Sequence, residues 1–347
     1  MFNVVFASSN EYSSFLLIAL TSLLENNKSD FDCINIYILD DGISVDKKNR
    51  INELSDKYPC QITFIELNIL HSSDIDLMPI QLKSSTNSLT TYSRLFISKL
   101  LPKHINKVLY LDCDALILGS YKELWDLDIS DYYCAAVLET INDTVKKLFW
   151  YLDFDSYFNA GFLLINLEKW RNDNVEVKFA EFLSKNYGKF FVADQGVINN
   201  VFEHKIKIVE PKYNLINYFQ YYDYDLAKKC CAIENEYYTK EIVDESRENP
   251  VFVHFTGGGY SAPWHNKDHK YHSQFFKYAK MANCEEVINY LDPPTFKAKL
   301  FFKGINSNLF KFFLKLIPKK IINNYVNKRL IFHFEYAERI ADEQFNK

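Results

Sequence analysis

Val108-Leu-Tyr-Leu-Asp112-Cys-Asp114-Ala-Leu-Ile-Leu118 is the stretch whose reading decides the fold. A short apolar strand runs into two carboxylates one residue apart, then into more apolar chain. Side chains alternate faces along a strand, so Asp112 and Asp114 are expected on one side. Two hard oxygen ligands at the carboxyl end of a strand suit a hydrated divalent cation that also grips phosphate. Open α/β sheets bind their ligands at that same edge. The spacing alone is unspecific. Asp-x-Asp recurs at Asp30/Asp32, Asp74/Asp76, Asp126/Asp128, Asp153/Asp155 and Asp223/Asp225. Only Asp112/Asp114 follows a run of four apolar residues; the others read as solvated surface carboxylates.

Upstream, Asn3-Val-Val-Phe-Ala7 reads as a short buried strand followed by polar Ser8-Ser-Asn-Glu-Tyr12. A helix starts near Ser13, with an apolar face from Phe15 to Leu24. Strands are expected at Ile34–Leu39 and Gln61–Ile65, with a charged helix over about 44–57 between them. This alternation predicts a parallel, doubly wound α/β sheet. The first turn holds no glycine, so neither a dinucleotide fingerprint nor a P-loop is present. Residues 66–89 read as a long polar loop of the kind that covers a site. Thr90-Thr-Tyr-Ser-Arg94 reads as a helix start, with Arg94 either a structural ion pair or a bidentate phosphate donor.

Downstream, a strand is expected at about 132–138, then polar, aromatic chain over 139–157. The apolar run Tyr157-Phe-Asn159-Ala-Gly161 to Asn166 follows, with Gly161 permitting a close backbone approach. Trp170, on a helix over about 167–185, reads as core. Val192-Ala-Asp194-Gln195 opens another helix, where Asp194 could serve as a plain N-cap and Gln195 has no evident structural duty. Residues 213–249, rich in Tyr, Asn and acidic groups, read as a variable insertion facing a substrate. Val251-Phe-Val-His254-Phe-Thr-Gly257-Gly258-Gly259 is the second focal point. A lone His after a strand is usually structural, but three bare glycines form a natural anion nest. No internal repeat is present.

The size, 347 residues, suits one large α/β domain with an appendage. At 48% hydrophobic and 16% aromatic, with nine Gly and nine Pro, the chain reads as compact and ordered. A net charge of -5 argues against nucleic-acid binding. No apolar run approaches the ~20 residues of a membrane span, and the start lacks the basic region of a signal peptide. Seven cysteines without zinc-type spacing read as reduced thiols of a cytoplasmic protein.

Taken in order, these pieces resemble the retaining glycosyltransferase family 8, in particular its bacterial members that build lipopolysaccharide or lipooligosaccharide cores, with glycogenin a distant relative. The resemblance is carried by Phe6-Ala7 with Tyr12, Thr90-Thr-Tyr-Ser-Arg94-Leu, Leu109-Tyr-Leu-Asp112-Cys113-Asp114, Phe158-Asn159-Ala160-Gly161, Leu164 through Trp170, Asp194-Gln195, and His254-Phe-Thr-Gly257 with Pro263-Trp264. It implies a GT-A fold: a Rossmann-like nucleotide-binding sheet with an acceptor lobe. It also implies a UDP-sugar donor, with Mn²⁺ (or Mg²⁺) held by Asp112, Asp114 and His254. By the same resemblance Ala7, Ser8, Ser9 and Tyr12 line the nucleoside pocket. Arg94, Cys113, Asn159, Ala160, Gly257 and Gly258 contact the donor. Asp194 holds donor hydroxyls, and Gln195 faces the anomeric carbon. The implied reaction moves glucose or galactose, with retention, to a cell-surface glycan such as lipopolysaccharide core.

Two departures stand out. Ser9 occupies a region where the bacterial pattern usually carries Asp. Ala262 precedes Pro263-Trp264 where that pattern carries Lys; Gly258-Gly259 or Lys267 would have to compensate. A non-catalytic or hydrolysing sugar-nucleotide binder therefore stays open as an alternative.

The organisation expected is a catalytic domain over 1–268, a connecting helix or linker over 269–294, and a basic helical tail over 295–347. From Thr295 to Phe334 nine Lys or Arg occur with no acidic residue. Leu309, Phe312, Phe313 and Leu316 share one helical face, and Lys311 and Lys315 the other. Such a helix suits an anionic membrane surface, which would hold the enzyme at the inner face of the membrane beside a lipid-linked acceptor.

Overall fold

The computed structural model describes residues 1–67, 89–140, 157–185, 194–202, 204–231, 233, 237–256, 261–291, 308–324 and 328. The expected loop over 66–89, most of 139–157, the Gly257–Gly259 nest and most of the tail lie outside these residues.

The first half follows the apolar pattern closely. Strand β1 (Phe2–Ser9) leads into α1 (Ser13–Asn27), β2 (Ile34–Asp41), α2 (Val45–Asn52) and β3 (Cys60–Glu66). β1 and β2 are buried almost throughout, as parallel strands covered on both faces must be. After α3 (Leu89–Ser93) come β4 (Lys107–Leu111), β5 (Ala115–Ile117), β6 (Cys134–Leu138) and β7 (Phe158–Asn166). Helices α4 (Val175–Lys185) and α5 (Asp194–Phe202) precede β8 (Ile206–Ile208). Helices α6 (Tyr224–Cys230) and α7 (Lys240–Glu248) precede β9 (Phe252–His254), and α8 (His272–Met281) and α9 (Asn308–Leu316) follow it.

Seven strands form the main sheet in the order β3-β2-β1-β4-β7-β6-β8. The sheet is mostly parallel, as expected, with one reversal. β1 to β4 run parallel, but β7 runs antiparallel to both of its neighbours, β4 and β6. Leu138 pairs with Phe158, so the chain leaving β6 re-enters beside the same strand end. Adjacent strand ends joined in this way give antiparallel pairing, whereas a parallel neighbour needs a crossover. The reversal matters for the site: it brings the start of β7 to the sheet edge where β4 ends.

β5 and β9 form a separate two-stranded ladder in which Ala115 faces His254. Trp170 is fully buried, as expected of a core residue. The helix of the expected connecting segment is no spacer: α8 packs on α1, and Phe275 joins Phe15 and Trp264 in an aromatic cluster. Helix α9 touches α6, with Leu314 against the core and Phe312, Phe313 and Leu316 turned outward. No helix among the described residues is long and apolar enough to cross a membrane.

Candidate active site

β4 ends at Leu111, so Asp112 and Asp114 do not lie on a strand as their spacing suggests. They flank a turn between β4 and β5, and it is the turn that swings both carboxylates to one side. The Asp112 N–H donates to the Gly161 carbonyl at 2.9 Å, extending the β4–β7 ladder by one residue. The Phe255 N–H donates to the Asp114 carbonyl at 2.9 Å and locks β9 alongside. His254, almost fully buried, thereby presents Nε2 to Asp114 Oδ1 at 3.2 Å and to Asp112 Oδ2 at 3.7 Å.

One ligand atom from each of Asp112, Asp114 and His254 lies within 4.8 Å of the others. Two carboxylate oxygens and an imidazole nitrogen suit a divalent ion such as Mn²⁺ or Mg²⁺. Gly161 makes room for them. A Cβ there would overlap the His254 ring and sit 2.7 Å from Asp112 Oδ2. The close approach expected of Gly161 is therefore an approach by the Asp112 and His254 side chains.

Asp112 is oriented by its neighbours. Its Oδ1 accepts from the Tyr110 hydroxyl at 2.8 Å and from Arg94 Nη2 at 2.9 Å, leaving Oδ2 turned to the triad. Arg94 is only 7% exposed and each of its three guanidinium nitrogens meets a protein group. Nε lies 2.9 Å from Asp194 Oδ2, Nη1 donates to the Ala160 carbonyl at 2.6 Å, and the guanidinium lies 4.5 Å from the Tyr110 ring centre. Burial works against its charge, but the Asp112 and Asp194 carboxylates outweigh it and hold the guanidinium ionised. Arg94 ties the Asp112 carboxylate to that of Asp194. Burial also pushes the Asp194 carboxyl up, with Arg94 opposing. Burial and the flanking carboxylates keep the Cys113 thiol protonated.

Gln195 does have a structural duty. Its Oε1 accepts the Ala160 N–H at 3.0 Å, fixing the first turn of α5 against β7. Asp112, Asp114, Asn159, Asp194, Gln195 and His254 share one cavity of about 350 Å³. The β1 tip lies across the turn from them: the Cys113 thiol donates to the Ala7 carbonyl at 3.3 Å. Ser8 is buried, and Ser9 donates to the Glu11 carboxylate at 2.8 Å, so a carboxylate does stand beside Ser9. Tyr12 is exposed and leans on Phe15. Gly257 and Gly258 lie outside the described residues. Ala262 is fully buried, which explains why no long cationic side chain stands there. Lys267 does not swing in; its Nζ lies 4.4 Å from the Tyr290 ring centre.

Three site residues escaped the sequence reading. Glu139 follows β6 as Asp112 follows β4, the same signal of a carboxylate closing a buried strand. Thr256 also lines the cavity. Asn214, fully buried, stands 3.1 Å from His254 Nδ1, and nothing in its local sequence announces it.

The family model for Glycosyl transferase family 8 matches residues 3–268. A Haemophilus influenzae protein described as a glycosyltransferase is 35% identical over 65% of this chain and 66% of its own length. A lipopolysaccharide 1,2-glucosyltransferase of Escherichia coli is 30% identical over 76% of this chain and 74% of that protein. Among solved structures, the galactosyltransferase LgtC with donor and acceptor sugar analogues superposes with a TM-score of 0.63. It covers 80% of this chain and 95% of the other at 23% identity, a likeness that shows the shared GT-A fold.

Proposed function

The chain belongs to glycosyl transferase family 8, and on that premise we propose that it is a retaining, metal-dependent hexosyltransferase. It takes glucose or galactose from a UDP-sugar and passes it to a hydroxyl of a surface glycan such as lipopolysaccharide core. The observation that carries this reading is the convergence of Asp112, Asp114 and His254 in one cavity with Asp194 and Gln195. A divalent cation bound there neutralises charge on a departing diphosphate.

The chain's own residues supply orientation. Arg94 pairs with the buried Asp194 at 2.9 Å and opposes the upward push of burial on its carboxyl, which is placed to accept donor-sugar hydroxyls. Gln195 is anchored through Ala160, and its remaining polar capacity faces the reacting carbon. Among the described residues, each carboxylate of the cavity already has a partner, Asp194 in Arg94, Glu139 in Asn159, and Asp112 and Asp114 in His254, which disfavours a carboxylate nucleophile. Retention then follows from attack on the face the leaving group vacates. The bond from the anomeric carbon to the phosphate oxygen breaks, the bond to the acceptor oxygen forms on the same face, and the acceptor proton passes to the departing phosphate.

A second reading, a hydrolysing or non-catalytic sugar-nucleotide binder, is favoured by one observation. No lysine lines the cavity among the described residues, since Ala262 is core and Lys267 is stacked on Tyr290. Incubation with Mn²⁺ and a panel of UDP-sugars, following UDP release with and without acceptor glycans, separates the two. Release that rises with acceptor supports transfer; release indifferent to every acceptor, or none at all, favours the second reading.

The outward apolar face of α9 supports a place for the protein on the cytoplasmic side of the membrane, against anionic lipid, with a lipid-linked acceptor. Lys319 and Lys320 are exposed beside that face.

A further inference from the structure

His254 has two ring nitrogens, and only one can meet a cation in the triad. Nε2 faces Asp114 and Asp112, whereas Nδ1 lies 3.1 Å from Asn214 Oδ1. The direction of that second contact is fixed by groups that have no choice of role. The Glu139 carboxylate accepts, so the end of the Asn159 amide 2.6 Å from Glu139 Oε2 is its NH₂. The Gly161 backbone N–H can only donate, and it meets the opposite end of that amide, Oδ1, at 3.0 Å. The same oxygen receives Asn214 at 2.8 Å, so Asn214 presents its NH₂ there and its carbonyl to His254. His254 thus carries a proton on Nδ1, which leaves Nε2, facing the carboxylates, as the nitrogen a cation would take.

We propose that Asn214 is a positioning residue that selects the metal-binding tautomer of His254, with Glu139 and Asn159 fixing its orientation. Partners of this kind behind a ligating imidazole typically govern metal affinity. The backbone holds Asn214 in place independently of its side chain. Leu215 bridges Val253 in parallel, and the His254 N–H donates to the Leu215 carbonyl at 3.2 Å. The inference rests on the metal reading above and is tested apart from it.

Mn²⁺ is titrated calorimetrically, without nucleotide, into the full-length protein and into Asn214→Ala and Asn214→Asp, with thermal unfolding of each. Asn214→Ala should lose about ten- to 100-fold in Mn²⁺ affinity. Asn214→Asp still accepts from Nδ1–H and should keep its affinity, yet melt lowest, because a second oxygen then opposes Asn159 Oδ1. Affinities that follow the melting temperatures across the three proteins would make Asn214 merely structural and overturn the proposal. Equal affinity in Asn214→Ala and the parent protein would overturn it too. ¹⁵N-histidine spectra of the Mg²⁺-loaded protein should show His254 protonated on Nδ1; protonation on Nε2 refutes the assignment. Failure of the parent protein to bind Mn²⁺ would sink the metal reading itself, a result distinct from equal binding by parent and variant.

Discussion

Gly161 lies so close under His254 that a single methyl group on its Cα would enter the imidazole ring. The neighbour on the other side is Asp112 Oδ2, 2.7 Å from the same point, so two triad members would be displaced together. Gly161→Ala should therefore reduce Mn²⁺ affinity and transfer by at least about 100-fold while costing only about 1–3 kcal/mol of stability, as overpacking does. Calorimetric titration alongside urea unfolding reads both. A variant that unfolds without losing affinity per folded molecule would contradict the placement.

Arg94 offers a test of strut against ligand. Arg94→Met leaves the buried Asp194, and the partly exposed Asp112 beside it, without their counter-charge; orphaning the buried member typically costs about 3–5 kcal/mol. Adding Asp194→Asn should recover part of that stability, because one of the two orphaned charges is then gone. Were the role of Arg94 mainly to hold the donor, the single variant would raise the UDP-sugar KM with little change in unfolding.

Chelation and ligand loss should agree. EDTA, Asp112→Ala and Asp114→Ala are each expected to abolish transfer, and full activity in EDTA would refute metal dependence. Gln195→Ala should behave differently. It lowers kcat by about ten- to 100-fold with a KM near that of the parent, as befits a group felt mostly in the transition state. A loss confined to KM would move Gln195 to donor binding.

His269 makes stability depend on pH. Burial first, then the nearby His272 and Lys270, hold its pKa down at about 3, against about 6.5 for an unfolded chain. Above pH 6.5 both states are neutral and the contribution is fully present. As pH falls below 6.5 the unfolded chain takes a proton that the folded one refuses. Stability then drops by up to about 1.4 kcal/mol per pH unit until pH nears 3. Urea unfolding between pH 7 and 5 should show this slope, and His269→Gln should flatten it.

The tail prediction concerns location. α9 is held by few contacts, among them Lys229 Nζ to the Leu314 carbonyl at 2.9 Å and Lys315 Nζ to Asp223 at 2.7 Å. Truncation before Thr295 should move the protein off anionic vesicles in flotation assays and leave transfer to a soluble acceptor intact. Loss of donor binding on truncation would instead make the tail part of the core.

Local chemistry was the legible part. Apolar runs at Phe2–Ser9, Ile34–Asp41 and Lys107–Leu111 became strands because buried parallel strands need continuous apolar chain. The Asp112/Asp114 pair is legible as a cation site from its place after a buried apolar run, His254 joins it only through the family resemblance, and the structure brings the three side chains together. What stayed hidden was non-local. The direction of β7 depends on how the chain returns from β6, and no periodicity records that. Asn214 sits in ordinary polar and apolar surroundings, and its partners are Asn159, 55 positions earlier, and His254, 40 later. The same blindness covered Gln195, whose anchor at Ala160 is likewise remote. For Arg94 the residues alone leave ion pair and phosphate contact open and the resemblance points to the donor; only the packed structure shows that two carboxylates and a carbonyl already surround it.

The antiparallel entry of β7 and the late arrival of β9 have a consequence for the birth of the molecule. Asp112 and Asp114 leave the ribosome early, whereas His254 follows some 140 residues later on the strand that closes the smaller ladder. Most of the main sheet can form before then, but a growing chain that stops short of β9 has two facing carboxylates and no imidazole to complete them. The three side chains are thereby brought together only once β9 has been made, and a chain that ends before it carries the scaffold of the site without its imidazole.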